Sequence, residues 1–354
     1  MTIIPALFSG LLLAVVPQES IPANALLDPA QWGSRQELVT QVRRYPDEAR
    51  EALQEFLRRS VLAGEEDQAS HGKAGTDSAL EDAKRLALAY SEAWSDPFLL
   101  QEVQRFSEWP LGDRFRKLAA DSLRVLGNQA YRSEGIDLAM VHWRGSLELS
   151  KELGDPAGVA RSLGNLGAGY FVAGEADSAR VFLSEALARA DGVGDFRTGA
   201  SAYTNLGNLA FDEGDLDQAV DLYSQAVVLL SRTGEHRHLS AVQHNLGLIA
   251  IDLGDLGGAR NNLIESIRLS RLHGYAMDEA ETLTALADLA QTEGEYQEAE
   301  ELLARALDLS LESKSRVAEA GIVHSLGLLS LARGDYLKAR DLFVDAVAAY
   351  SDLG

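Results

Sequence analysis

A 40-residue register runs through the last two thirds of this 354-residue chain and constrains its fold more than any other feature. Asn165-Leu166-Gly167, Asn205-Leu206-Gly207 and Asn245-Leu246-Gly247 recur at that spacing. The register continues through Ala285-Leu286-Ala287 to Ser325-Leu326-Gly327, and back to Val125-Leu126-Gly127. Seven residues after each of the last five stands a glycine followed by an acid: Gly174-Glu175, Gly214-Asp215, Gly254-Asp255, Gly294-Glu295 and Gly334-Asp335. An alanine then recurs at Ala139, Ala179, Ala219, Ala259, Ala299 and Ala339. Four residues later comes a bulky side chain: Trp143, Leu183, Tyr223, Leu263, Leu303 and Phe343. A small residue follows at Ser146, Ala186, Ala226, Ser266, Ala306 and Ala346. Self-similarity at a fixed period of this length is the mark of a stacked repeat.

Each position has a physical task. The small residue at Gly167 and its equivalents lets two helices of one repeat approach closely, and Gly174 and its equivalents end the first helix, where only glycine turns left-handed without steric cost. The acid that follows lies at the start of the second helix, where it suits the helix dipole. The alanine and the bulky residue four later share one helix face. Asp155-Pro156 reads as a cap followed by a first-turn proline. The expected product is an all-α, right-handed α-solenoid of antiparallel helix pairs, six repeats over residues 120–354.

These residues resemble the tetratricopeptide repeat: small, glycine, alanine, bulky and small at the fitting intervals, with Tyr170 supplying an aromatic in the second copy. The usual period is about 34 residues, so the chain is similar to the extended variety found in Leu-Gly-Asn spindle adaptors and kinesin light chains. The resemblance implies a non-enzymatic binding scaffold whose first helices (A) line a concave groove for a protein or peptide. Repeats of this composition behind an export signal also resemble the N-terminal part of bacterial proteins with a C-terminal CHAT protease-like domain. That likeness implies, as one alternative, a sensor module of a larger enzyme continuing past residue 354.

Outside the array, residues 26–119 read as a helical cap covering the first repeat, since a solenoid end exposes apolar surface unless it is covered. Helices are expected at Gln36–Arg44, Pro46–Leu62, Ser78–Trp94 and Pro97–Trp109, with the Gly-, Ser- and acid-rich stretch Gly64–Thr76 as an exposed loop. Ile3–Val16 is an uncharged apolar run too short to span a bilayer, and Ala23-Asn24-Ala25 behind it fits a signal-peptidase site. Residues 1–25 are therefore expected to be a signal peptide of an exported, periplasmic or extracellular protein, although no basic residue precedes the run. The alternative is an apolar helix packed on the body of a cytoplasmic chain. No later apolar run is long enough for a membrane span. Gly354 falls in register with Gly154, Gly194, Gly234 and Gly274, so the last repeat is expected to expose an apolar end that self-association could cover, giving a self-assembling solenoid as a further alternative.

The chemistry-bearing residues point to binding rather than catalysis. With no cysteine, thiol nucleophiles, thiolate zinc sites and iron–sulfur clusters are excluded, and no nucleophile, cofactor or phosphate-loop signature appears. His236 and His238 flank Arg237 without an evident third ligand, so no metal site is expected. Positions that the resemblance places on the groove give Arg124, Asn128, Arg132 and Arg161 at one end. Thr204, Asn208, Asp212, His244 and Asp252 follow in the middle, then Glu281, Thr284, Asp288 and Thr292, with His324 and Leu328 last. Phe171, Phe211 and Ile251 are expected as apolar anchors. Asn165, Asn205 and Asn245 form a ladder that either pairs with an extended peptide backbone or bridges neighbouring A helices. The positions of a chaperone-tail carboxylate clamp would fall on Arg124, Asn128, Asn165, Ser201 and Asn205, but the last two lack the cations such a clamp needs. Arg124, Asn128 and Arg161 remain an expected landing place for an acidic peptide tail.

Net charge is −22, from 54 acids and 32 bases. Residues 1–119 carry 18 acids and 13 bases, the remainder 36 and 19, so the array holds most of the negative field. Such a field repels nucleic acid and steers basic partners.

Overall fold

The computed structural model describes residues 24–70 and 74–351. The apolar run Ile3–Val16, and Gly354, lie outside the described residues. The array consists of six A helices, each followed by an antiparallel B helix. The A helices are α6 (Leu111–Ser133), α8 (Pro156–Val172), α10 (Phe196–Asp212), α12 (His236–Asp252), α14 (Ala276–Glu293) and α16 (Arg316–Ala332). Their partners are α7 (Ile136–Glu152), α9 (Ala176–Val193), α11 (Leu216–Leu230), α13 (Leu256–His273), α15 (Tyr296–Glu312) and α17 (Tyr336–Ser351). Each A helix packs chiefly on its own B helix, and each B helix on the next A helix. Successive A helices also touch from α6 to α10 and from α12 to α16, which puts them on the inner, concave wall. This is the α-solenoid that the register demands.

Close approach inside a repeat depends on the small residue of the register. A Cβ on Gly207 would lie 2.8 Å from the Tyr223 ring, and one on Gly247 2.7 Å from Leu263. Tyr223 and Leu263 are fully buried, so the contact is part of a dense core in which such spaces are already filled. The turn glycine following each A helix is left-handed, as at Gly174 with φ of 76°.

Capping divides by side-chain length. Asp215, Asp255 and Asp335 each accept a bond from the backbone N–H three residues on. Glu175 and Glu295, one methylene longer, make no such bond. Asp155 also departs from expectation. Pro156 opens α8, but the Asp155 carboxylate makes no cap bond to the helix and instead meets Lys117 Nζ at 2.9 Å.

Before the array come α1 (Asn24–Leu27), a 3₁₀ turn at Pro29–Gln31, α2 (Arg35–Arg44), α3 (Pro46–Ser70), α4 (Ala74–Trp94) and α5 (Phe98–Glu108). Trp32, Val42, Phe56 and Leu86 anchor their own core, with Trp32 edge-on to Phe56. The expected loop at 64–76 is corrected: α3 continues to Ser70 and α4 begins at Ala74. Glu65, Glu66, Gln68 and the alanines there are good helix formers that outweigh Gly64 and Gly75. α6 begins at Leu111, so one continuous helix crosses the 119/120 position at which the array was expected to begin.

These helices do more than cover the first repeat. Arg50 of α3 and Tyr90 of α4 both reach the carbonyl of Thr233, in the turn between the third and fourth repeats. Trp94 lies against Gly234 in that same turn, so closely that a Cβ on Gly234 would stand 2.6 Å from the indole. The segment thus leans into the concave side. At the other end, α17 leaves Tyr336, Leu337, Val344 and Val347 exposed. Among the described residues, no helix is long and apolar enough to cross a membrane.

Candidate functional site

The inner wall has two halves with different surroundings. Its first half, built by α6, α8 and α10, faces α3 and α5 across a chamber of about 350 Å³. Most of its charged groups are already paired. Lys117 contacts Asp121 at 3.1 Å and Asp155 at 2.9 Å; against burial, which pulls it down, these carboxylates hold its ammonium above the ordinary value. Arg161 bonds Glu102 of α5 at 2.5 Å and Asp195 at 3.1 Å, and lies over the Phe98 ring. Asp195 in turn caps α10 through the Thr198 N–H. Arg50 meets Glu235 at 2.7 Å, and Arg197 meets the same oxygen at 2.7 Å.

Arg161 is therefore engaged within the chain, which corrects its assignment to an acidic peptide tail. Opposite charge on a neighbouring helix satisfied it before any ligand could. Asn128 is engaged too: its Oδ1 accepts from Trp143 Nε1 and from Asn165 Nδ2, both at 2.9 Å. Arg124 stands apart. Its carboxylate neighbour, Asp121, is 3.7 Å away and already bonded to Lys117, while its buried Nε has no hydrogen-bond partner. Burial, with Arg161 and Arg197 pressing on it, pulls this guanidinium below its ordinary value. Arg132 is exposed near the end of α6.

The asparagine ladder bonds within the protein. Asn165 bridges α8 to α6 through Asn128, and Asn205 donates to the Ser201 carbonyl of its own helix. Asn245 reaches the Tyr223 hydroxyl at 3.4 Å, which itself donates to Asn208 Oδ1 at 2.6 Å. The anchors differ from expectation as well. Phe171, Phe211 and Ile251 are half-buried and packed on the core clusters.

His236 belongs to an aromatic column. It stacks on His273 with centroids 3.9 Å apart, takes the edge of Trp94 at 5.1 Å, and His273 continues to Tyr275 at 5.9 Å. Burial and the neighbouring His273 pull His236 down to about 4. Burial also lowers His238. Among the described residues no three His, Cys, Asp or Glu side chains converge as metal ligands would. Arg237 pairs with Asp278 at 2.7 Å.

The second half, on α12, α14 and α16, is more open. Asp252, Glu281, Asp288, His324 and Leu328 are exposed. Asp212, at the end of α10, is exposed as well, and burial with Glu213 nearby raises it. Asp288 is reachable by solvent yet walled by the concave surface, which displaces water and pushes it up to about 6. The same displacement, with Asp278 nearby, raises Glu281. Glu281 stands 4.0 Å from His244 Nε2, and His244, bonded to Thr282 at 3.1 Å, is pulled down to about 4 by burial. Thr204, Thr284 and Thr292 each donate to a carbonyl four residues back. His324 tilts against Phe343.

The sequence-based site did not include Lys117, Glu102, Asp195, Arg197, Arg50 or Trp94. For Arg197 a signal existed: it lies one helical turn before Ser201, on the same face. Glu102, Arg50 and Trp94 carried none, because their position follows from tertiary docking alone.

The family model described as the MalT-like TPR region matches residues 157–351, more than half of the chain. No curated protein sequence matches it. Among solved structures, BtubC (BKLC) from P. vanneervenii is similar with a TM-score of 0.54 and 19% identity, covering 62% of this chain and 92% of that one. Aspartyl phosphate phosphatase F from Bacillus subtilis gives 0.54 and 13%, covering 95% of both chains. A Rap protein complexed with competence and sporulation factor gives 0.53 and 16%, covering 90% of this chain and 88% of that one. At such identities the likeness is one of fold.

Proposed function

Because this chain belongs to the MalT-like TPR family, we propose that it is a non-enzymatic scaffold whose concave wall binds a protein or peptide partner. The observation that carries this reading is the contrast between the two halves of that wall. In the first half α3 and α5 already face α6, α8 and α10, and most charges are paired inside the chain. In the second half Asp252 and Asp288 are accessible carboxylates with no ion pair among the described residues, whereas Glu298 and Glu300 on α15 are held by Arg260 and Arg333. Unpaired acids on an inner wall favour a basic segment, extended or helical, whose cations replace the missing partners. A Rap protein of similar fold is complexed with competence and sporulation factor, which supports a binding role for such a fold.

The test is fluorescence anisotropy with the full chain and a labelled Lys- and Arg-rich peptide, set against an acidic peptide of equal length. Binding of the basic peptide should weaken with salt, and by about tenfold on combined Asp252→Asn, Glu281→Gln and Asp288→Asn substitution. Equal binding of the acidic peptide would exclude this half as the receptor. A self-assembling mode is favoured by one feature, the exposed apolar residues of α17. A mass by light scattering that is constant across concentration would remove it.

A further inference from the structure

The chamber between the N-terminal helices and the first half of the inner wall is built unlike the rest of this acidic protein. One side, from α3, α5 and the segment after it, supplies apolar groups such as Leu57, Leu99, Phe106 and Trp109, interspersed with charged ones such as Glu102 and Arg105. The opposite side, from α6, α8 and α10, supplies Arg124, Arg197 and the polar groups of Asn128, Asn165, Ser201 and Asn205. A side rich in large apolar groups facing a cationic, amide-lined one at about 350 Å³ is a small-ligand pocket in size and character.

Charge pairing identifies what is missing from it. Lys117, Arg161 and Arg50 have carboxylate partners at hydrogen-bond distance. Arg124 has none: Asp121 is 3.7 Å away and committed to Lys117, and the buried Nε donates to nothing. Its side chain is only 16% exposed, with Arg161 and Arg197 near enough to disfavour its charge. A guanidinium cannot escape this by losing its proton, so one whose single carboxylate neighbour is shared with Lys117 and whose Nε donates to nothing costs stability until an anion arrives. The Ser201 hydroxyl has no hydrogen-bond partner in the protein, and the Asn128 amide Nδ2 is likewise unspent.

We propose that this chamber is a binding site for a small amphipathic carboxylate, its carboxyl group on Arg124 with Arg197, Asn128 and Ser201 nearby and its hydrocarbon body against Leu57, Leu99 and Trp109. A carboxylate supplies the planar pair of acceptors that a guanidinium fork fits, and the Leu57, Leu99 and Trp109 side chains favour an anion with a hydrocarbon body over a fully hydrated one such as inorganic phosphate. The site lies apart from the open acidic half, so either can fail without the other.

The test is calorimetric titration of the full chain with octanoate, octylamine, octanol and inorganic phosphate, and with an apolar tripeptide bearing either a free or an amidated C-terminus. Octanoate should bind while octylamine, octanol and phosphate do not. Arg124→Gln should weaken octanoate by about tenfold or more, the worth of a hydrogen-bonded charge, and Arg124→Lys should restore part of it. Without ligand, Arg124→Gln should leave the melting temperature unchanged or raised, because it removes a buried cation that has only a long, shared contact with Asp121. If the tripeptide with a free C-terminus binds and its amide does not, the same carboxylate site takes peptide ends as well as free acids. Failure of octanoate to bind, equal binding of octylamine, or a several-degree loss of stability in Arg124→Gln would each overturn the assignment.

Discussion

Glu102→Gln should detach α5 from the inner wall while leaving the distant repeats untouched, and the structure sets the size of the effect. Glu102 Oε2 accepts from Arg161 Nη2 at 2.5 Å, and the two side chains are 17% and 18% exposed. A hydrogen bond to a charged group at such a site contributes about 1.5–3 kcal/mol. The amide keeps the shape of the carboxylate but not its charge. Arg161 also retains Asp195 at 3.1 Å and the Phe98 ring. The loss should therefore fall at the lower end, about 1.5–2 kcal/mol, which is roughly a 10- to 30-fold rise in local opening.

Arg161→Met is the harsher change, since it strands Glu102 and the fully buried Asp195 together. Breaking a buried pair from the cation side costs about 3–5 kcal/mol. The diagnostic result is the double variant. In the Arg161→Met background, Glu102→Gln removes a stranded carboxylate, so it should stabilise where it destabilises in the wild type. Hydrogen exchange followed by mass spectrometry reads these terms separately. Protection should fall in Phe98–Glu108 and stay constant in α14 to α17. Equal signs of the Glu102 effect in both backgrounds would refute the pairing argument, as would faster exchange spread evenly along the array.

Two further outcomes follow from packing and protonation. Acidification should loosen α4 from the fourth repeat through His236, whose folded value of about 4 lies below the ordinary 6.5. The unfolded chain then takes up protons first, so this stability is complete above about 6.5 and is lost as pH falls toward 4. Discounted for its half-open position, the loss by pH 5 is about 1 kcal/mol; it should appear as faster exchange near Trp94 and vanish in His236→Phe, and persistence there would assign it to other groups. Gly207→Val should lower stability by about 2 kcal/mol in urea denaturation, because its Cβ would stand 2.8 Å from a buried tyrosine ring whose hydroxyl is bonded to Asn208. An unchanged midpoint would mean that the A and B helices of that repeat can part without cost.

The array was legible because each of its signals is local or recurs at a fixed interval. Gly207 and Tyr223 face each other since both lie in the 40-residue register, and the same geometry is repeated at Gly247 and Leu263. The helices before the array had no such redundancy. Their extents could be read approximately, yet the 64–76 stretch misled because loop-like composition was overridden by helix continuing from α3. Their docking could not be read at all. The contact from Tyr90 to the Thr233 carbonyl joins residues 143 apart in sequence, and neither belongs to a pattern.

That docking also explains why the groove residues divide as they do. Arg124 and Arg161 both line the chamber, but their position in the repeat alone treats the wall as bare. Glu102 arrives from outside the register and neutralises Arg161, one turn away from Gly164 and Asn165 on the same helix. Asp121, three residues before Arg124 on the same helix, stays 3.7 Å from it, because Lys117 holds that acid at 3.1 Å. A charge written into the repeat is thus available to a ligand only where the N-terminal helices have not already answered it. By that criterion the available groups include Arg124 within the chamber and Asp252 and Asp288 beyond it, of opposite sign and in separate halves of one wall. An acidic partner and a basic one would then compete for no residue in common, and binding of each should be insensitive to neutralisation of the other's site.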